Sequence, residues 1–306
     1  MKTYTNAQVA GCLDIPSSVE AIRRAYLEMA NGGASVQPRA RIGLADLKFS
    51  AMSAMLGSAR LAASKLYTTI DGRFRFYIAL FSLDDGELVA LLEGDSITGF
   101  RTSATTLLAA EHLARPGSAS LGLFGSGIQA RAHALAFAAR PGLRELRIHS
   151  PDEASARALA DEIAAGHGIG TRVVEAREAA EADIVVLATR ASEPVLRGDW
   201  LRPGAFVASI GATRPDQREI DDASLQRASR LVVDWTRQTP LETGDLLLPP
   251  RELVGRRPLA DLSTVIAAGE RRAGDAQDIV IYKAVGIALQ DAAVACLAYT
   301  RLVSGH

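Results

Sequence analysis

The chain has 306 residues, 48% of them hydrophobic, and a net charge of −1. That length suggests about two domains with sizeable cores, and the even charge balance excludes the overall basic bias that nucleic-acid partners select. No signal-peptide pattern opens the chain and no apolar run reaches transmembrane length, so a cytoplasmic protein without a membrane partner is expected.

Residues 17–31 have helical spacing, with Ser17 or Ser18 as the cap. Ile22, Ala25, Tyr26 and Met29 share one face, and Asn31-Gly32-Gly33 ends the run. From 36 to 93 the pattern becomes short alternating stretches, punctuated at Gly57-Ser58-Ala59, Asp71-Gly72 and Asp84-Asp85-Gly86. Residues 73–82 and 87–93 pair across the last of these, so an antiparallel sheet is expected. Three cationic features interrupt this front region. Arg39-Ala40-Arg41 follows Gln37-Pro38, Lys65 ends the run Leu61-Ala62-Ala63-Ser64, and Arg101 follows Gly99-Phe100 and opens a helix. A guanidinium grips a carboxylate bidentately, and an ammonium offers a point charge or a proton. Each reads as well as a solvated cation with its stem on apolar residues.

The stretch 119–130 is the most informative. Ala119–Phe124 reads as a buried parallel strand, Gly125-Ser126-Gly127 as a turn, and Gln129–Ala139 as a helix closed by Pro141-Gly142. This order begins a dinucleotide-binding βαβ unit. Gly125 permits the tight turn, and Gly127 leaves bare backbone for a pyrophosphate. Ala130 lets the helix approach the strand, and free N–H groups from Ile128 onward face the phosphates. Gln129 belongs to the same turn, with Thr102 and Ser126 as hydroxyl donors. A tight turn in some other α/β domain is the plainer alternative.

Strands follow at 145–150, 171–175, 182–189, 204–211 and 230–234, alternating with helices as in a doubly wound sheet. Ala188 and Thr189, leaving one strand, and Gly211, leaving the next, are expected to face the cofactor. Ser150 stands where an NAD site carries an acid for the ribose. Asp152 offers a substitute and no adjacent arginine marks a phosphate, so NAD or NADP stays open, with a slight lean to NADP. A cleft between the front domain and the carboxyl edge of this sheet is the expected substrate site. Cys12 and Cys296 lie far apart with no metal-type spacing, so no metal is expected and both read as buried free thiols.

Beyond the fifth strand the motifs become specific. Arg101-Thr102, Gly125-x-Gly127-x-Gln129-Ala130, Gly211-Ala212-Thr213-Arg214-Pro215-Asp216 with Arg218-Glu219-Ile220-Asp221, Glu242-Thr243-Gly244-Asp245, and Tyr282-Lys283-x-x-Gly286-x-Ala288-x-x-Asp291 occur in that order. Together they resemble the ornithine cyclodeaminase/mu-crystallin family. The resemblance implies an α/β chain: a Rossmann NAD(P)-binding domain over 115–285, and an α+β domain over 1–114 and 286–306. The second domain would dimerise through a shared antiparallel barrel, and the last helix would complete it. The resemblance also places Lys65 and Arg101 beside the nicotinamide. Arg101 would bind the substrate carboxylate together with Arg41, Arg39 being the other candidate in that loop. Asp216 would orient its loop or touch substrate, and Asp291 would hold an interdomain contact.

Two departures bear on the chemistry. Thr213 stands where ornithine-cyclising members carry Asp, and Ser50 where they carry Glu; a threonine is not a base near neutral pH and does not pair with an ammonium as a carboxylate does. Thr213 also reads simply as a cap for the following turn. The expected reaction is hydride transfer between the nicotinamide and the α-carbon of a small amino or cyclic imino acid. Arg101 and Arg41 clamp the carboxylate, Lys65 handles the proton on nitrogen, and Thr213 flanks the site. The competing readings are a true ornithine cyclodeaminase, an alanine-type dehydrogenase, or a low-turnover ligand-binding protein.

Overall fold

A computed structural model describes residues 1–273 and 276–305. Seven strands of the N-terminal region form one sheet: β1 (Lys2–Tyr4), β2 (Ala34–Val36), β3 (Ala40–Leu44), β4 (Leu47–Leu56), β5 (Leu61–Ile70), β6 (Arg73–Ser82) and β7 (Leu88–Glu93). Their order is β1-β7-β6-β5-β4-β2, with β3 also on β4. Pairing is antiparallel except where β1 adds to β7 in parallel. The β5–β6 turn is the two-residue type that Asp-Gly favours, with both Asp71 and Gly72 at positive φ.

Alternation along β5 decides what faces inward. Ala63, Lys65 and Tyr67 are buried on one face, and the C-terminal helix Ala288–Ser304 packs over β4 and β5 there. That helix also packs on helix Ile15–Ala30. The short helix Asn6–Gly11 comes first, and the helix expected from residue 17 starts two residues earlier, at Ile15. Asp14 is its cap, accepting from the Ser17 amide at 2.7 Å, with Pro16 in the first turn.

The second sheet contains β8 (Ser120–Phe124), β9 (Glu145–His149), β10 (Gly170–Val173), β11 (Ile184–Leu187), β12 (Phe206–Ser209), β13 (Ala228–Val233), β14 (Leu259–Asp261) and β15 (Ile279–Lys283). All pair in parallel, in the order β10-β9-β8-β11-β12-β15-β13-β14. The chain runs outward from β8 in one direction and resumes on its other side with β11, so the switch point lies between those strands. β15, the last strand in the chain, lies between β12 and β13. Its five residues are all buried, as a central parallel strand requires.

The two units are Met1–Thr105 with Gly286–His306, and Thr106–Val285. The first boundary thus falls inside helix Asp95–Leu113 and not after residue 114. From Thr106 onward this helix bonds to the second unit: the Thr106 hydroxyl meets His133 Nε2 at 3.0 Å, and His112 Nδ1 donates to the Glu270 carbonyl at 2.6 Å. Arg101 does not open that helix but sits midway along it, because the helix begins at Asp95. Among the described residues, no helix is long and apolar enough to cross a membrane.

Candidate active site

Within the first unit, three cations converge on the start of the C-terminal helix. Lys65 Nζ donates to Asp291 Oδ1 at 2.7 Å and to the Thr98 hydroxyl at 2.7 Å. Both ion-pair side chains are 2% exposed. Arg101 Nη1 donates to Gln290 Oε1 at 2.9 Å, and its Nε lies 3.4 Å from Asp291 Oδ1. Arg39 Nη2 donates to the Gly286 carbonyl at 2.8 Å. Gln290 is held in turn by donating to the Tyr26 hydroxyl at 2.9 Å. Gly286 has φ +77, and a Cβ there would stand 2.2 Å from Arg101 Nη1, so the guanidinium can lie against this backbone only if the residue is glycine.

The electrostatics follow from burial. Lys65 pairs across the sheet with Met52 and Ile78, both fully buried, and its ammonium sits 4.3 Å from the Phe76 ring centre. Burial lowers its pKa to about 8, Asp291 opposing and Arg101 and Arg39 assisting. Asp291 is held below the usual carboxylate range: burial pushes it up, but Lys65 and Arg101 outweigh that. Its place in the first turn of a helix favours the anion as well. Asp291 Oδ2 and Arg101 Nε are buried without a hydrogen-bond partner. Asp291 thus pairs with Lys65 inside this unit. Arg39 joins the cluster, whereas Arg41 lies exposed on β3.

In the second unit the glycine turn has the predicted form. Gly125 adopts φ +107, and a Cβ there would meet the Ala188 carbonyl at 2.7 Å. Gly127 caps helix Ile128–Ala138 with open space where its Cβ would be, and no side chain caps that helix. Ile128 is exposed at its start, Ala130 is fully buried under it, and Gln129 Oε1 is buried without a partner. The Ser126 and Ser150 hydroxyls are 2.9 Å apart. Bare backbone, uncapped first-turn amides and paired hydroxyls fit a dinucleotide's phosphates and ribose. Asp152 accepts from the Ser155 amide at 3.0 Å and the Ser155 hydroxyl at 2.6 Å, so its carboxylate caps helix Glu153–His167.

The remaining expected residues divide. Thr102, in the first unit, donates its hydroxyl to the Thr98 carbonyl at 2.6 Å, an internal helix bond. Thr213 is half-buried in the turn after β12. Asp216 is exposed and paired with Arg214, 3.0 Å away. Thr189 and Gly211 both bind one buried carboxylate, that of Glu219. Beside it lie Ser209, Asp245 and Lys283, all buried, with Lys283 Nζ 2.9 Å from Asp245 Oδ2. Glu219, Asp245 and Lys283 were legible as motif letters, but not as a cluster with Ser209.

A doubly wound sheet with this turn defines a dinucleotide-binding protein. More narrowly, the chain belongs to the ornithine cyclodeaminase/mu-crystallin family, whose model matches residues 2–306. It is 32% identical to mouse ketimine reductase mu-crystallin over 228 residues, 74% of this chain and 70% of that one. A Bordetella pertussis protein named as a probable ornithine cyclodeaminase superposes with TM-score 0.94 at 38% identity, covering 100% of this chain and 98% of that one. Thermococcus litoralis Delta(1)-pyrroline-2-carboxylate reductase, in complex with NADH and L-proline, superposes with TM-score 0.93 at 30% identity, covering 100% of this chain and 98% of that one.

Proposed function

We propose that this chain is an NAD(P)-dependent oxidoreductase that reduces the C=N bond of a small cyclic imino acid, or oxidises the matching amino acid, by hydride transfer. The observation that carries this reading is the buried Lys65–Asp291 pair flanked by Arg101 and Arg39. Arg101, with Arg39, holds the substrate carboxylate; Arg41 is not needed for the grip. Lys65 gives its proton to the nitrogen during reduction and takes one during oxidation, and a pKa of about 8 populates both forms near neutrality. Asp291 holds the ammonium in place, and its second oxygen, buried without a hydrogen-bond partner, has capacity for a substrate N–H. When bound, the nicotinamide coenzyme supplies or accepts the hydride, held by Gly125, Ser126, Gly127, Ile128, Gln129, Ala130 and Ser150. With Asp152 engaged as a cap, the ribose meets hydroxyls and no free acid, which supports the lean to NADP.

Ser50 and Thr213 leave the amine end of ornithine without a carboxylate partner, which argues against the cyclodeaminase reading. The face of β4–β6 opposite Lys65 exposes Phe49, Met55, Tyr77 and Phe81, and β3 adds Ile42 and Leu44. So large an apolar face supports a homodimer built on this sheet. Light scattering after size exclusion tests that, a monomer mass refuting it. The functional test is a fluorescence titration with NADH and NADPH, then turnover of Delta(1)-pyrroline-2-carboxylate against ammonia release from ornithine. Coenzyme oxidation with the imino acid is expected. Ammonia from ornithine without net coenzyme consumption would overturn the reading.

A further inference from the structure

We propose that Glu219, which no motif role assigns, is the positioning residue that holds the coenzyme-facing edge of the parallel sheet. This rests on the coenzyme reading above. The Glu219 side chain is completely buried and its carboxylate gathers donors from two segments, Thr189 and Ser209–Ala212. Oε1 accepts from the Thr189 amide and the Thr189 hydroxyl, each at 2.8 Å. Oε2 accepts from the Gly211 amide at 2.8 Å and the Ala212 amide at 3.2 Å, and lies 2.9 Å from the Ser209 hydroxyl. One side chain thus ties the loop leaving β11 to the loop leaving β12. Carboxyl ends of adjacent strands at this side of a doubly wound sheet are where the coenzyme binds.

Glu219 is itself fixed from behind. Asp245 Oδ1 accepts from the Glu219 amide at 2.7 Å and the Ile220 amide at 3.1 Å. Asp245 Oδ2 lies 2.6 Å from the Ser209 hydroxyl and 2.9 Å from Lys283 Nζ, which also donates to Ser209 at 2.9 Å. Gly211 completes the fit, since a Cβ there would come within 2.1 Å of the Thr189 carbonyl and 2.5 Å of Glu219 Oε1. Every donor in this hub belongs to the loops or to their anchors, so the carboxylate acts through Thr189 and the Gly211–Thr213 turn and does not itself react.

The test is Glu219→Gln. An amide in either orientation turns its NH2 toward main-chain donors, because both carboxylate oxygens receive N–H groups. Reduced-coenzyme Kd, read by fluorescence titration, is expected to rise at least tenfold, with the imino-acid KM at saturating coenzyme changing less than twofold. A purely structural role would lower Tm and the active fraction but leave the Kd of the folded protein unchanged. Should Glu219→Gln not fold, Ser209→Ala removes the hydroxyl between the two carboxylates and is expected to raise Kd severalfold. Wild-type Kd in the folded variants overturns the positioning role alone. A wild-type chain that binds neither NADH nor NADPH overturns this role and the coenzyme reading together.

Discussion

Asp291→Asn tests whether the buried carboxylate sets the proton affinity of Lys65. In the wild type the lysine titrates at about 8, with burial, Arg101 and Arg39 pulling it down and Asp291 holding it up. A neutral amide removes the one opposing charge, and a close opposite charge moves a pKa by about 1–3, so Lys65 would fall to roughly 5–7. Taking ~6 for the variant, the protonated fraction at about pH 7.5 drops from roughly three quarters to about 3%, a twentyfold loss. Reduction uses the protonated lysine as donor, so its rate is flat at low pH and falls above the pKa. Oxidation uses the neutral amine as base and shows the opposite limb.

The assay is kcat/KM for the acid substrate in both directions at saturating coenzyme, followed by coenzyme absorbance across pH. The break in reduction is expected to move from near 8 to about 6, while oxidation near neutral pH becomes relatively faster. Removing one partner of a buried ion pair costs about 3–5 kcal/mol, so the variant will be less stable. The position of a break is independent of how much folded enzyme is present. An unchanged break, or one that moves upward, would refute the electrostatic assignment.

Lys65→Ala should abolish turnover and spare coenzyme binding; full activity would remove Lys65 from the mechanism. Arg101→Lys should raise the KM of the acid substrate and lower kcat, through loss of the bidentate grip. Gly286→Ala should reproduce that loss from a residue that binds no ligand, because its Cβ would strike Arg101 Nη1 at 2.2 Å; unaltered KM would refute the packing argument. Gly125→Ala and Gly127→Ala should separate by assay. The first strains a φ of +107 against the Ala188 carbonyl and should lower Tm, with strain of about 1–3 kcal/mol. The second meets open space and should keep Tm while weakening coenzyme binding about tenfold or more, a methyl replacing bare backbone. Equal melting and equal affinity in the pair would refute both.

Local features were the readable ones. The turn at Gly125–Gly127 is written within a dozen residues, and β6 spans 73–82 as expected, because alternation and Asp-Gly punctuation are short-range signals. The seat of β15 between β12 and β13 was not readable, since parallel neighbours joined by long crossovers leave no mark in sequence order. The cation cluster was half legible. Lys65 shares the parity of Ala63 and Tyr67, which alone places it on the covered face of β5. Its partner Asp291 lies 226 positions away, and Gln290 lies 189 from Arg101. Arg39 and Arg41 have equal parity as well, so nothing in the letters told which one reaches Gly286.

Among the described residues two lysines are buried, Lys65 and Lys283, and their partners differ in remaining hydrogen-bonding capacity. A buried ammonium is costly unless an acid is buried beside it, and Lys65 has Asp291 as Lys283 has Asp245. Asp245 is saturated: Oδ1 takes two amides, and Oδ2 meets Ser209 and Lys283. That arrangement holds loops in place and has no capacity for a ligand. At Asp291, Oδ1 takes the Lys65 hydrogen bond and the Arg101 ion pair, while Oδ2 and Arg101 Nε stay buried without a hydrogen-bond partner. Unmet hydrogen-bonding capacity in a desolvated site costs stability, and an acidic substrate with an N–H restores it by filling both. The same reasoning separates a structural charge pair from a reactive one in any sheet where a lysine ends up on the covered face.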